Sequence, residues 1–145
     1  MDNVLPLIKK DFSFEDEIGE LTDLCKEDLV SVNTIILDKL DSNVPLVHEV
    51  GKYLILSGGK RLRPLLTVSS FHMTRNGTSE IENKMNHIGL SAAVEFIHTA
   101  TLLHDDVIDE SKQRRGKPTA NEKWKNKTSV LAVSYTHLRA HETLR

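Results

Sequence analysis

Three aspartates near the middle of this sequence are the residues best suited to chemistry. Asp105, Asp106 and Asp109 form the pattern D-D-x-x-D. On a helix, Asp105 and Asp109 lie one turn apart on the same face, and Asp106 lies about 100° away from Asp105 around the axis. Carboxylates one turn apart repel each other, so the helix gains nothing from this arrangement. A divalent cation reverses the repulsion, and Mg²⁺ is usually held by one or two carboxylates together with substrate phosphates.

Two basic clusters supply groups that bind phosphate. In Gly58-Gly59-Lys60-Arg61-Leu62-Arg63-Pro64, the glycines end one helix and Pro64 suits the first turn of the next. The second cluster, Arg114-Arg115-Gly116-Lys117-Pro118, closely follows the aspartates. Arginine binds phosphate oxygens through two parallel hydrogen bonds, and lysine adds a compact charge. Taken singly, each charged cluster is also typical of a solvated surface, but together they indicate a site for a metal and two polyphosphate groups.

The aspartates end a segment that is apolar around most of its circumference, from Ile88 to Leu103. Ser79-x-x-Glu82 has the form of a capping box, which predicts one buried helix from about Ser79 to about Asp109. Carboxylates at the C-terminal end of such a helix are unfavourable unless they are paired or bind metal, because burial and the helix dipole both disfavour negative charge there. This double penalty favours a functional site over a merely acidic surface.

The other segments also predict helices, so the expected fold class is all-α. Three further helices are predicted from apolar spacing and turn residues: Ser13 to about Leu40, Ser42-Asn43-Val44-Pro45 to Ser57-Gly58, and Pro64 to Met73 before Asn76-Gly77. The chain has 145 residues, 39% of them hydrophobic and 28% charged, as expected of one globular unit.

Composition excludes several classes of function. The net charge of −2 and the lack of a long basic helix face argue against nucleic-acid binding. The single Cys25 excludes an intrachain disulfide and fits a reducing compartment. No stretch is long and apolar enough to span a membrane, and the N-terminus is unlike a signal or transit peptide. A cytoplasmic location is therefore expected.

The order and spacing of these motifs resemble the trans-isoprenyl (polyprenyl) diphosphate synthases. The resemblance rests on Gly58–Pro64, Val94–Asp109 and Arg114–Asn121, and it covers roughly Val44 to Ala132. It implies the N-terminal part of an all-α helical barrel, truncated here, with a homodimer in the full-length form. It also implies a Mg²⁺-dependent prenyltransferase that condenses isopentenyl diphosphate with an allylic diphosphate.

The resemblance also implies roles for individual residues. Asp105 and Asp109 would bind Mg²⁺, Arg114 would bind the allylic diphosphate, and Asp106 completes the catalytic set. The residues implied to bind isopentenyl diphosphate are Lys60, Arg63, His98 and Arg115. Independently, His98 precedes Asp105 by two turns and lies within about 20° of its face, although a core histidine bonded to a neighbour would have the same spacing.

Product length is a further implication of the resemblance. In this family, bulky aromatic residues at the positions of Ala100 and Thr101 tend to block the channel that holds the growing chain. Both residues are small here. We therefore expect a long-chain product of the octaprenyl type.

The sequence departs from the family pattern near its end. The polar segment Val133–Arg145 replaces an expected Gly-Asp pair and alanine-rich helix, Lys125 replaces a glycine that usually follows the tryptophan, and the second aspartate-rich motif is absent. We interpret residues 1–132 as the N-terminal part of the synthase domain and residues 133–145 as an atypical tail, foreign or frameshifted. His137 and His141 have metal-ligand spacing, but no Glu or Cys pattern accompanies them.

Two other classes of protein stay open. One is a catalytically inactive fragment or a non-catalytic helical partner subunit, which the missing second aspartate motif favours. The other is a metal-dependent phosphohydrolase with His104-Asp105 as a metal pair, which leaves the two basic clusters unexplained.

Overall fold

The computed structural model describes residues 13–41, 44–56, 59–74 and 86–144. Within these ranges the chain forms helices α1 (Phe14–Leu24), α2 (Lys26–Lys39), α3 (Pro45–Leu56), α4 (Leu62–Thr74), α5 (Asn86–Ile108) and α6 (Ala120–Thr143). Two short antiparallel strands, β1 (Gln113–Arg114) and β2 (Lys117–Pro118), form a hairpin between α5 and α6. The predicted all-α fold is confirmed. None of these helices combines the length and the apolar character needed to cross a membrane.

Helix α5 is the central element, and it packs against α2, α4 and α6. The main core joins it to α2 and α4 through Phe96, Ile36, Leu65 and Val68, all almost fully buried. Burial of each such side chain contributes about 1.5–3 kcal/mol. The N-terminal and middle turns of α5 are therefore firmly held, as expected for a helix with little polar circumference.

A second cluster holds the C-terminal half of α5. Leu103 of α5 packs with Val50 of α3 and with Ala120 and Ala132 of α6. This packing positions the end of α5, where the aspartates lie, against α3 and α6. Helices α5 and α6, joined by the β1–β2 hairpin, run antiparallel, because Leu103 near the end of α5 meets Ala120 at the start of α6 and Gly89 near the start of α5 approaches Thr143 at the end of α6.

The prediction of a single helix from Ser13 to Leu40 is wrong in one respect, because the chain forms two helices separated at Cys25. Cys25 has a non-helical backbone (φ −98°, ψ 10°) and is buried with its Sγ 3.6 Å from Ser69 Oγ of α4. The hydrogen bonds from Cys25 N to Leu21 O and from Leu29 N to Cys25 O persist across the break. The apolar period therefore continues through it, and the sequence pattern does not reveal it.

The other predicted helix boundaries agree with the structure where it describes them. Helix α4 begins at Leu62, which places Pro64 in its first turn as predicted. The capping box at 79–82 and the turns at 57–58 and 76–77 lie outside the described residues. Helix α5 ends at Ile108, within one residue of the predicted end.

Helix α6 continues through the segment that was expected to be an atypical tail. Ser129, Ala132, Thr136 and Ala140 are all buried and form a stripe of small residues along it. Close approach to α5 is evident at Gly89, where an added Cβ would lie 3.1 Å from the carbonyl oxygen of Thr143. The sequence interpretation missed this stripe because it sought large apolar residues. The foreign or frameshifted origin of residues 133–145 stays a prediction.

Lys125 interrupts the helical geometry of α6. Its backbone (φ 70°, ψ 161°) lies in a region that glycine adopts readily and other residues rarely do. The family resemblance leads one to expect glycine at this position. The lysine therefore adopts a glycine conformation at a kink between two helical parts of α6.

Candidate functional site

A cavity of about 560 Å³ lies between α5, the residues that precede α4, and the β1–β2 hairpin. The structure brings all five predicted substrate-binding residues to its walls: Lys60, Arg63, His98, Arg114 and Arg115. Of the three aspartates, Asp106 lines the cavity. Segments from three distant parts of the sequence therefore meet at one cavity.

One face of α5 forms the floor of this cavity. Glu95, His98, Thr99, Leu102 and Asp106 line it, and their spacing of three, four, seven and eleven residues from Glu95 places them on one stripe. Leu102, with Leu54 and Leu62 from the facing elements, supplies an apolar part of the wall. Polar groups and apolar surface are thus arranged side by side.

The first basic segment, residues 59–63, is tied to α5 by Arg61. Arg61 donates from Nη1 to Glu95 Oε1 at 2.6 Å and from Nη2 to the Ile55 carbonyl oxygen at 3.0 Å. Both side chains of the ion pair are largely buried, and Arg61 has a left-handed backbone (φ 48°). A buried pair of this kind is strongly destabilised when one partner is removed. Arg61 therefore fixes the segment that carries Lys60 and Arg63.

The sequence interpretation counted Arg61 among the groups that bind phosphate and gave Glu95 no role, whereas the structure pairs the two side chains. The available signal was Glu95 itself, a single carboxylate inside an otherwise apolar stretch of helix. A buried carboxylate requires a partner. Sequence reasoning does not identify that partner, because Arg61 lies 34 residues away.

The β1–β2 hairpin is tied to α5 by a second ion pair. Arg114 donates from Nε to Asp106 Oδ1 at 3.0 Å and from Nη2 to the same oxygen at 2.8 Å. Asp106 is buried, whereas the Arg114 side chain is 39% exposed. Hydrogen bonding to Asp106 raises the pKa of Arg114 despite partial burial, and the charges of Asp106, Asp105 and Asp109 raise it further. The predicted catalytic residue Asp106 therefore holds Arg114 in place.

Arg115 is presented by the turn of the hairpin. Arg115 (φ 53°) and Gly116 (φ 75°) are the two central residues between the paired Arg114 and Lys117. Positive φ at both positions is the geometry that closes a two-residue hairpin. It is unfavourable for a side chain as large as arginine, and such strain is found preferentially at functional sites.

Gly59 brings the two basic segments into contact. A Cβ added to Gly59 would lie 2.9 Å from Arg115 Nη1. The guanidinium of Arg115 therefore packs against the backbone at Gly59, in the first basic segment. The hairpin is further anchored by Tyr53, whose hydroxyl donates to the Pro118 carbonyl oxygen at 2.7 Å.

Asp105 and Asp109 lie exposed at the end of α5, outside the cavity wall. Asp109 N donates to Asp105 O at 2.8 Å, so the predicted one-turn spacing holds to the end of the motif. Within the described ranges neither carboxylate forms an ion pair. Two carboxylates on one face, open to solvent, are oxygen donors of the kind that Mg²⁺ prefers.

His98 is partly buried in the cavity wall. Burial lowers the pKa of its imidazole, the charges of Arg63, Arg115 and Arg114 lower it as well, and Glu95 opposes them. In the part of the chain that the structure describes, its ring nitrogens form no hydrogen bond, unlike those of a satisfied core histidine. Burial and the neighbouring arginines therefore favour the neutral imidazole of His98, which has one N–H to donate.

Ala100 and Thr101, the residues used to predict product length, do not line this cavity. Ala100 is buried, whereas Thr101 is exposed and donates to the His98 carbonyl oxygen at 2.7 Å. The product-length interpretation stays a prediction.

The fold is all-α, and a helix ending in D-D-x-x-D and two basic segments surround one cavity. These features define the class of protein, and comparison with known proteins gives the same class. The chain belongs to the polyprenyl synthetase family, whose model matches residues 44–145. This confirms the family resemblance and leaves no support for the phosphohydrolase alternative.

Individual relatives make the comparison more specific. The chain is 41% identical over 127 residues to octaprenyl diphosphate synthase of Escherichia coli, over 88% of this chain. Among solved structures it is similar to a decaprenyl diphosphate synthase from Rhodobacter capsulatus (TM-score 0.79, 45% identity) and to a polyprenyl synthase from Caulobacter crescentus complexed with calcium and isoprenyl diphosphate (TM-score 0.80, 41% identity), each over 88% of this chain. The chain spans 38%, 38% and 37% of these three proteins, respectively.

Proposed function

We propose that this chain is the N-terminal part of an enzyme that condenses isopentenyl diphosphate with an allylic diphosphate to give a long-chain trans-polyprenyl diphosphate. The observation that carries the proposal is the meeting of Arg63, His98, Arg114 and Arg115 at one cavity next to the aspartate motif. The names of the similar synthases, and the Caulobacter crescentus relative complexed with calcium and isoprenyl diphosphate, support it.

The cationic residues of the cavity differ in how much of each remains available to a substrate. Arg63 and Arg115 have no carboxylate partner in the described ranges, so both guanidinium groups are free to bind diphosphate oxygens. Lys60 forms only an exposed ion pair with Glu15 at 3.6 Å, a contact that contributes little and exchanges readily. His98 adds an N–H donor. These four residues would hold isopentenyl diphosphate.

The allylic diphosphate would lie on the side of Arg114 and the aspartates. Asp106 engages Nε and Nη2 of Arg114, which leaves Nη1 for a substrate oxygen. Asp105 and Asp109 would hold Mg²⁺, which when bound supplies positive charge to the departing diphosphate. The allylic C–O bond breaks and its electron pair leaves with the diphosphate. The double bond of isopentenyl diphosphate attacks the allylic carbon, and the resulting cation loses a proton to the released diphosphate, which forms the new double bond. Leu54, Leu62 and Leu102 keep water away from the reacting carbons.

The test uses a chimera in which residues 1–132 of this chain are followed by the C-terminal part of the Escherichia coli synthase. Asp105→Ala and Asp109→Ala should each lower Mg²⁺-dependent incorporation of labelled isopentenyl diphosphate by at least ~10²-fold, since each removes a ligand of the metal. Asp38→Ala, an exposed aspartate on α2, is the matched control and should be fully active. Activity that persists in the double variant at 105 and 109 would refute the proposed role of the motif.

The 145-residue chain alone is expected to have no detectable activity. Several large apolar side chains are mostly exposed, including Leu24 (83%), Met73 (80%) and Ile108 (65%). Exposed apolar surface of this kind is typical of an interaction site or of a missing part of the fold. An inactive fragment or a partner subunit is therefore the second candidate, and prenyl transfer by the isolated chain would exclude it.

A further inference from the structure

A cluster of metal-ligating side chains lies away from the cavity, where α2, α4 and α5 meet. Asp28 of α2 stands between His72 of α4 and His87 of α5, and its Oδ2 lies 2.6 Å from His72 Nε2 and 3.1 Å from His87 Nε2. The three ligand atoms all lie within 4.8 Å of one another. Among the described residues this is the one group of three or more His, Cys, Asp or Glu side chains with metal-ligand geometry.

The cluster is independent of the proposed substrate site. None of its three residues lines the cavity. His87 lies in the first turn of α5 and Asp106 in its last, 19 residues apart, which is about 28 Å along the helix axis. A ligand bound here would not touch the diphosphate-binding residues.

Packing holds the cluster in a defined geometry. The buried His87 ring stacks on Phe71, with ring centroids 3.9 Å apart and the planes within 1° of parallel. His72 packs edge-on against the same Phe71 ring at 5.5 Å. Each ligand thus comes from a different helix, and two of the three are oriented by one aromatic ring. The His72 side chain is 48% exposed, so a metal ion has a route from solvent.

The donor set suits a borderline transition-metal ion better than Mg²⁺. Two imidazole nitrogens and one carboxylate oxygen are common zinc ligands, whereas Mg²⁺ prefers oxygen alone. Tetrahedral zinc with bonds of about 2.0–2.1 Å holds its ligand atoms about 3.3 Å apart. The two separations from Asp28 Oδ2 are already close to this value, so small outward shifts would admit the ion.

We propose that Asp28, His72 and His87 bind a zinc ion that joins α2, α4 and α5, with the fourth coordination position left to solvent on the side of His72. A three-residue site of this kind would restrain α4 and α5 relative to α2. Three hydrogen-bonded side chains without a metal would also join these helices, and zinc binding separates the two cases.

The test is equilibrium dialysis of the whole 145-residue chain against micromolar ZnCl₂ in excess Mg²⁺, with bound zinc counted by elemental analysis. The unaltered chain should bind one zinc ion. Asp28→Asn and His72→Ala should each weaken zinc binding on the order of 10²-fold, so that the ion is lost. Asp28→Asn keeps the shape of the side chain, and His72 is half exposed, so neither change depends on refolding the core. Dialysis counts bound metal whatever the association state of the chain.

The matched control is the double variant His137→Ala and His141→Ala. These exposed residues of α6 have ring centroids 5.3 Å apart and are the other closely spaced histidine pair in the described residues. The double variant should keep the zinc ion. Retention of zinc in Asp28→Asn and His72→Ala, its loss only in the α6 variant, or no zinc in the unaltered chain would each overturn the proposal.

A second measurement needs no substitution at the site. Cobalt added to the chain should give the visible absorption bands of a four-coordinate nitrogen–oxygen site, both in the unaltered chain and in the α6 double variant. Spectra typical of six-coordinate aqueous cobalt in both would also overturn the proposal.

Discussion

The first basic segment (residues 59–63) and the β1–β2 hairpin each place two arginines at the cavity. In each, one arginine pairs with a carboxylate of α5: Arg61 with Glu95, and Arg114 with Asp106. The partner of Arg61 is buried and Arg61 is itself largely buried, whereas Arg114 is more than one third exposed. Loss of one partner should therefore be more destabilising in the Arg61–Glu95 pair than in the Arg114–Asp106 pair.

The two segments also differ in where they carry backbone strain. In the first, the paired residue Arg61 has positive φ and the free Arg63 lies in the regular first turn of α4. In the hairpin, the free residue Arg115 has positive φ. Strain at a pairing residue is compensated by its ion pair, whereas strain at a free residue has no such compensation until a ligand binds. We therefore expect the hairpin to depend more on a bound ligand than the first basic segment does.

Removing the carboxylate that pairs with each arginine should give the largest difference in stability between the two segments. In the chimera, Glu95→Ala should lower the free energy of unfolding by about 3–5 kcal/mol, because Arg61 is left buried and unpaired. Asp106→Ala should cost less, about 1–3 kcal/mol, because Arg114 reaches solvent. Urea denaturation measures both, with Asp38→Ala as control. Equal losses would show that exposure does not distinguish the two pairs.

Replacing the strained residues by glycine should separate structural from functional strain. Lys125→Gly and Arg115→Gly should each raise the free energy of unfolding by about 1 kcal/mol, since both remove a side chain from positive φ. Only Arg115→Gly should weaken diphosphate binding, by about tenfold or more, because it removes a charged donor. Calorimetric titration with isopentenyl diphosphate measures the binding. If Lys125→Gly weakened binding equally, Arg115 would have no special role.

His98 reports on both segments, since Arg63 belongs to one and Arg115 to the other. Burial and these positive charges hold the pKa of the free His98 imidazole below its ordinary value, and Arg63 contributes more than Arg115. Arg63→Gln should therefore raise this pKa more than Arg115→Gln does, as measured by NMR titration of the imidazole. Bound diphosphate favours imidazolium and so raises the pKa in the complex. Binding then takes up a proton. The affinity should therefore rise as the pH falls from the His98 pKa in the complex toward the His98 pKa in the free protein.

The control for this pH dependence is His98→Gln, which should lose the part of it due to the imidazole. The diphosphate titrates in both proteins, so only the difference between them is informative. A pKa that responds more to Arg115→Gln than to Arg63→Gln would contradict the expectation that Arg63 has the larger effect on the imidazole.

Altering the contact between Gly59 and Arg115, which joins the two segments, should have the smallest effect on stability and affinity. Gly59→Ala places a Cβ against Arg115 Nη1, at the flexible end of that side chain. We expect little change in the free energy of unfolding, within about 0.5 kcal/mol, and a few-fold loss of diphosphate affinity. Gly19→Ala, where nothing lies within 4 Å of the added Cβ, is the control for affinity; it should itself raise the free energy of unfolding by about 0.5–1 kcal/mol, because Gly19 lies inside α1. Unchanged affinity in Gly59→Ala would mean that the segments act independently.

Much of the fold was predictable from the sequence, as was the set of basic residues that the structure gathers at one cavity, whereas their roles stay predictions. Helix periodicity and turn residues depend on neighbours in the chain, so α3, α4 and the end of α5 fall close to the predicted positions. The motif residues Arg63, His98 and Arg115 are recognisable as residue types in a fixed order. The structure places all three residues in the wall of one cavity.

What sequence reasoning missed depends on contacts across the chain. The pairing of Arg61 with Glu95 joins residues 34 positions apart, and the break at Cys25 leaves the apolar period intact. The sequence also placed His98 and Asp105 on one face, yet Asp105 lies outside the wall that His98 lines. An angular difference of about 20° is enough to separate the rim of a cavity from its lining.

The stripe of Ser129, Ala132, Thr136 and Ala140 has a consequence for how much sequence change this region tolerates. An interface built from small side chains selects partners by size at every third or fourth position and places few demands on chemistry. Many unrelated helices would satisfy that rule, since serine, alanine and threonine are common residues. The place of α6 beside α5 is therefore weakly encoded: a replacement segment retains the docking so long as it stays helical and keeps those positions small.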